Sequence, residues 1–161
     1  MISALVRVEH GVEALAVTLS ALVPAVADGL LADAVILARD PGPAVERVAD
    51  AVGATLVADP GGSWSAGARH ARHDWILCLA DGDVPTEGWI RALDRFIALS
   101  PPERRFGRLR RAVGWRQRAR DLFRPSGVRA GDLVHRSLLL AGTARHPARI
   151  AAGIERDAVF G

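Results

Sequence analysis

The sequence predicts an α/β fold, a mostly parallel sheet flanked by helices, and three observations predict it. Over the first hundred residues, apolar runs of strand length alternate with segments of helical period, the pattern of a sheet covered by crossover helices. Trp75-Ile76-Leu77-Cys78-Leu79 is five apolar residues in a row, as expected of a strand covered on both faces. That run ends in Asp81-Gly82-Asp83, which puts two carboxylates at the carboxyl edge of the sheet, where open α/β sheets bind ligands.

The elements follow in order. Residues 3–8 read as the first strand, and Val12, Leu15, Ala16, Leu19, Leu22 and Val26 recur at the spacing of one helix face. A second strand covers residues 33–38. Pro43 opens the next helix where its missing N–H costs little, and Gly53 stops it after about Val52. Thr55–Ala58 is a third strand. It leads into Asp59-Pro60-Gly61-Gly62, either an ordinary turn or a loop whose glycines let a ligand approach the backbone. A short helix begins near Ser63 or Ser65, with Ala66, Ala68 and Ala71 as its small apolar face. After the carboxylates, Trp89, Ile90, Leu93, Phe96 and Ile97 line a further helix that Ser100-Pro101-Pro102 ends. Residues 103–124 read as an Arg-rich amphipathic helix with Phe106, Leu109, Val113, Leu122 and Phe123 as its stripe, weakened by Gly107 and Gly114. Gly131 to Ser137 reads as a loop, a short strand and the start of a helix.

A chain of 161 residues with half its residues apolar is enough for a single core. Residues 1–100 are expected to form the α/β core, and residues 101–161 an Arg-rich helical segment of the same domain. The single cysteine, Cys78, lies inside the apolar strand and reads as a small core residue. The longest apolar stretch, residues 14–27, contains Thr18, Ser20 and Pro24 and is too short to span a bilayer, so the expected location is cytoplasmic. Lysine is absent and the arginines are unevenly placed: 7 against 13 acidic residues in residues 1–100, and 14 against 5 in residues 101–161. The resulting formal charges, −6 and +9, make the second segment a candidate surface for an anionic partner. Its apolar stripe fits an anionic membrane surface, with Trp115 at headgroup level; the other reading is a helix that packs the stripe on the core and leaves its arginines in water. Nucleic acid is the less expected partner, because no recognised binding module accompanies the charge.

The chemistry centres on Asp81 and Asp83. Carboxylate oxygens are hard ligands suited to Mg²⁺ or Mn²⁺, and a cation held by one or two carboxylates keeps positions open for substrate phosphates. The same Asp-Gly-Asp is also a natural turn. Arg69, in the short helix, is the preferred diphosphate contact, and its neighbours His70, Arg72 and His73 read as a solvated helix face.

The run from Gly62-Ser63-Trp64 through Ala80-Asp81-Gly82-Asp83-Val84-Pro85, followed by Gly88-Trp89, resembles the central segment of family 2 glycosyltransferases of the GT-A fold. The resemblance reaches weakly back to the N-terminus and covers about the first hundred residues. It implies a nucleotide-sugar donor, an unknown acceptor, and a cation held on the donor diphosphate by Asp81 and Asp83. An alternative register matches Asp81 alone. It also implies a donor contact from Asp40 at the end of the second strand; the Gly61-Gly62 loop is a further candidate donor contact on its backbone freedom alone. Asp132 matches a Gly-Asp element of the acceptor half, the place of a general base, though a helix N-cap or turn is its other reading. The Glu155-Arg156-Asp157 group is a second candidate base. The first strand lacks the family's usual Pro, and the Ser/Thr-Asp pair expected after Asp40 is missing. Two other readings therefore stay open. One is a catalytically degenerate glycosyltransferase-like module that binds a membrane or a protein. The other is a nucleotidyltransferase, whose Gly-rich loop is not evident after Val8.

Overall fold

A computed structural model describes residues 1–101, 105–111 and 127–160. Strands β1 (Ile2–Arg7), β2 (Leu31–Ala38), β3 (Thr55–Ala58) and β4 (Trp75–Ala80) alternate with helices α1 (Val12–Ala27), α2 (Pro43–Ala51) and α3 (Trp64–Ala68). Then come β5 (Asp83–Pro85), α4 (Trp89–Leu99), β6 (Phe106–Arg111), β7 (Asp132–His135), α5 (Arg136–Ala141) and β8 (Ala148–Arg156). The eight strands form one sheet in the order β3-β2-β1-β4-β7-β6-β8-β5. Its first four strands are parallel, with Leu5 of β1 opposite Val35 of β2 on one side and Cys78 of β4 on the other. Strand β7 runs antiparallel to both β4 and β6, β8 lies parallel to β6, and β5 closes the row antiparallel to β8.

The continuous apolar run of β4 has a direct cause. Leu77 and Leu79 join the core layer that holds Ala4, Val6, Leu15 and Leu93, while Ile76 and Cys78 join the opposite layer with Leu5, Val35, Leu37 and Trp64. Alternate residues of a strand face opposite ways, so a strand clad on both sides needs apolar residues at every position. Each such side chain, fully removed from water, contributes about 1.5–3 kcal/mol. Local signals set the ends of the helices. Pro43 starts α2, and the Ser63 hydroxyl accepts the Ser65 N–H at the start of α3.

The expected Arg-rich helix over residues 103–124 is corrected where the structure describes it. Residues 106–111 form a strand paired with β7 and β8. Phe106 and Leu109 are three apart, which suits one helix face, but in a strand that spacing points to opposite faces. Both faces here are covered, so Phe106 packs with Ile76 and Val134 while Leu109 packs with Leu133 and Ile154. Both side chains are buried and form no lipid-facing stripe. Gly107 fits the strand for a packing reason: a Cβ there would come within 2.7 Å of Phe96 Cζ and of Ile150 Cδ1. Val113, Gly114, Trp115, Leu122 and Phe123 lie outside the described residues. Strands β5 and β8 are not among the expected elements; β8 joins the row through backbone pairing with β6 and β5 and buries Ile150, Ala152 and Ile154 from one face.

Candidate functional site

The parallel strands β1 to β4 end on one edge, and strand order there runs outward from β1 in both directions, the arrangement that opens a crevice for ligands. Four connections meet at this edge: residues 8–11, 39–42, 59–63 and 81–83. Gly82 lets the chain reverse between β4 and β5. It has φ +81°, and a Cβ there would lie 3.2 Å from Phe160 Cβ.

Asp81 is fully buried. Its Oδ2 accepts the backbone N–H groups of Glu9, His10 and Gly11 at 2.9, 2.6 and 3.0 Å, and its Oδ1 lies 2.9 Å from His10 Nδ1. The carboxylate thereby ties β4 to the turn that enters α1, whose N-cap is Gly11 and supplies no side-chain cap. The imidazole has one defined tautomer, because His10 Nε2 lies 3.1 Å from Arg156 Nη1. Arginine only donates, so Nε2 accepts and the proton sits on Nδ1, facing Asp81.

Asp83 is also fully buried. Arg111 holds it in a two-bond fork, Nη1 to Oδ1 and Nη2 to Oδ2, both at 2.8 Å. Ala80 N–H donates to Oδ2 at 2.9 Å, and Arg156 Nη2 stands 3.7 Å from Oδ1. Arg111 also lines an open cleft of about 470 Å³ with Thr86, Glu87, Arg110, Gly153 and Glu155.

Asp132 sits at the start of β7, opposite Cys78 of β4, and repeats the arrangement. Arg108 forks onto it, Nε to Oδ1 at 2.5 Å and Nη2 to Oδ2 at 2.8 Å, and Arg129 N–H donates to Oδ2 at 2.9 Å. Burial raises its pKa above the usual carboxylate value, and the bonds from Arg108 pull the other way without cancelling it. The sign for stability follows. With a folded pKa above the unfolded one, the stabilising share of protonated Asp132 is complete below the unfolded pKa and is lost as pH rises through the folded pKa. Asp132→Asn, which cannot titrate, should therefore flatten that part of the stability profile. Urea melts from pH 3 to 7 check this, and an unchanged slope in the variant would contradict it.

The remaining candidate residues separate. Asp40 and Gly61 are exposed in their loops on this edge. Asp59 holds the glycine loop by accepting Gly61 N–H at 3.2 Å and Ser63 N–H at 2.6 Å. Beside Gly62 lie two side chains that sequence reasoning did not single out, Arg7 and Arg39: a Cβ on Gly62 would be 3.7 Å from Arg7 Cδ and 3.8 Å from Arg39 Nε. The Arg7 guanidinium carbon stands 4.6 Å from the Trp64 ring centroid, and Arg7 Nε is 2.7 Å from Glu9 Oε1, close but not aligned for a hydrogen bond. Arg69 is exposed at the carboxyl end of α3, beyond the turn that begins next to Gly62. Of the second candidate base, Glu155 is exposed, Asp157 N–H donates to Gly82 O, and Arg156 belongs to the Asp83 cluster. Burial pushes the Cys78 thiol pKa up, which suits an inert core residue.

A divalent cation held by one or two carboxylates still needs an oxygen of each that is open to it. Here all four oxygens of Asp81 and Asp83 already receive protein donors, two of them guanidinium hydrogens at each end of one fork. No three His, Cys, Asp or Glu side chains converge on a metal position among the described residues. As folded, the pair does not fit a cation, because Arg111 stands where the cation would have to approach Asp83.

This sheet, with its edge of four loops, is a GT-A-like fold, and comparison with solved structures agrees. Glucosyl-3-phosphoglycerate synthase from Mycobacterium tuberculosis, solved in complex with Mn²⁺ and UDP-glucose, aligns with a TM-score of 0.64 at 16% identity, covering 86% of this chain and 57% of the other. TarS residues 1–349 from S. aureus aligns at 0.58 and 10% identity, covering 91% of this chain and 50% of the other. A nucleotidyl transferase from Methanothermobacter aligns at 0.55 and 19% identity, covering 97% of this chain and 87% of the other. The chain thus spans only a little over half the length of the mycobacterial enzyme. No protein-family model and no curated protein sequence matches it. Among the described residues, no helix is long and apolar enough to cross a membrane.

Proposed function

We propose that this chain is a glycosyltransferase-like module that binds the nucleotide part of a nucleotide-sugar at the carboxyl edge of β1 to β4, for use with an acceptor not yet known. One observation carries the reading. The parallel order β3-β2-β1-β4 gathers Arg7, Arg39, Asp40 and the Gly61-Gly62 loop at the edge where α/β sheets take nucleotides. In this reading Arg7 and Arg39 supply positive charge beside the nucleotide, and Asp40 is the carboxylate available to a ribose hydroxyl. The mycobacterial synthase and its UDP-glucose support the choice of donor class. Family 2 membership is part of this proposal and rests on the Trp64 to Trp89 motif run.

A full transfer reaction in the form the motif implies, with Mg²⁺ or Mn²⁺ on Asp81 and Asp83 and with Asp132 as base, requires each carboxylate to leave its present donors. The geometry therefore favours the binding module over the metal-dependent enzyme. Nucleotidyl transfer is the second reading, favoured by the 87% of the Methanothermobacter enzyme that this chain covers.

Calorimetry with UDP, GDP, ADP, CDP and TDP tests the proposal. One of the five should bind, and at a hundredfold excess over Kd it should stabilise the fold by about 2.7 kcal/mol. Arg39→Ala, an exposed substitution, should weaken that binding about tenfold, or ~1.4 kcal/mol. Preference for a nucleoside triphosphate over the matching nucleotide-sugar would favour the second reading, and no binding by any of the five would end both.

A further inference from the structure

We propose that the edge formed by Asp81 and Asp83 is an anion site rather than a cation site, and that it takes a diphosphate through Arg111 and Arg156 without a divalent metal. The proposal rests on the nucleotide-binding reading for the identity of the ligand, but its charge argument stands on separate observations. The side chains form one chain of contacts, Asp81 to His10 to Arg156 to Asp83 to Arg111. Within it the order of exposure is consistent. Both carboxylates are wholly buried, while the side chains of His10, Arg156 and Arg111 keep 32%, 27% and 21% exposure. A ligand arriving from water meets two guanidinium groups, with the negative charge beneath them.

That order is the reverse of a metal centre, where carboxylate oxygens face the opening. The buried carboxylates here orient the side chains above them. Asp83 aligns the Arg111 fork, and Asp81 sets the His10 tautomer and ring orientation. Arg156 is shared between the two halves: its Nη1 lies at His10 and its Nη2 at Asp83. Guanidinium groups pair with phosphate oxygens in the same two-bond geometry they use with carboxylates, so Arg156 can turn from a 3.7 Å contact to a phosphate with little loss. The backbone supports this placement, because Arg156 is the register partner of Asp83 in the β5–β8 pair and Arg111 lies opposite Ile154 in the β6–β8 pair.

The test is titration of the full chain by calorimetry with three probes: MnCl₂ alone, sodium pyrophosphate in EDTA, and UDP in EDTA and in MnCl₂. The proposal expects no saturable Mn²⁺ binding tighter than about 1 mM. It expects pyrophosphate to bind in EDTA, and UDP to bind equally well with chelator and with Mn²⁺. Arg156→Ala should weaken pyrophosphate about tenfold, ~1.4 kcal/mol. That variant keeps the Arg111–Asp83 fork, and a far-ultraviolet spectrum and melt like those of the parent show that the loss is local. Saturable Mn²⁺ binding that Asp83→Asn abolishes, or UDP binding only with Mn²⁺, would overturn the inference and leave nucleotide binding intact. Failure of pyrophosphate to bind would overturn it as well. Pyrophosphate bound in EDTA with no UDP bound under either condition would uphold the anion site while removing the nucleotide reading.

Discussion

Asp81→Ala is expected to lower the unfolding free energy by about 1.5–3 kcal/mol, the range for losing hydrogen bonds to a charged group, because the backbone N–H groups of one turn lose their shared, fully buried acceptor. The N–H groups of Glu9, His10 and Gly11 all point at one carboxylate oxygen, and no side chain caps α1. The loss should therefore appear as a lowered urea midpoint with an unchanged slope. Asp81→Asn keeps one carbonyl oxygen for these donors and should lose clearly less. A melt of Asp81→Ala within about 0.5 kcal/mol of the parent, the usual range for a surface change, would show that the carboxylate is not an anchor.

The second large effect is an asymmetry within the Asp83–Arg111 pair. Arg111→Ala takes the two-bond fork from a fully buried carboxylate, leaving it the Ala80 N–H and Arg156 at 3.7 Å, and is expected to cost about 3 kcal/mol, the low end of the range for removing one member of a buried ion pair. Asp83→Ala leaves a guanidinium that already keeps 21% of its side-chain surface in water, so it should cost less. The double variant should recover part of the Arg111→Ala loss, since the buried carboxylate that lost its fork is then gone as well. Urea melts of the four proteins form the cycle. Equal and small single effects with no coupling would mean that the fork contributes little to the fold.

The same residues explain how much could be read in advance. Helix α2 between Pro43 and Gly53, strand β3, the double-sided β4 and the short α3 after Ser63 all carry local signals: a Pro where an N–H is not needed, an apolar run of strand length, a hydroxyl at a cap. The C-terminal half carries few of these. Phe106 and Leu109 have helical spacing but serve two different faces of a strand, and only the pairing of β6 with β7 and β8 decides between the two. β8 does alternate, with Ile150, Ala152 and Ile154 buried and Arg149, Ala151 and Glu155 exposed, but its small residues at Ala151, Ala152 and Gly153 mute the pattern, and it is not among the expected strands.

What the sequence by itself determined is the α/β alternation of the first hundred residues, the carboxyl edge as the place where polar residues gather, and the position of Asp81 and Asp83 at the end of β4. Periodicity, capping and turn chemistry are local, so they can be read along the chain. Only the tertiary structure decided what those carboxylates face. Arg111 follows Asp83 by 28 positions, and Arg156 and His10 are 146 positions apart, and no spacing rule connects them. Sheet register brings them together: β8 lies between β6 and β5, and the fork from Arg111 and the reach of Arg156 close over Asp83. A carboxylate written in a sequence is equally a cation ligand or an arginine's counterion; the side chain that the fold seats opposite it makes the choice.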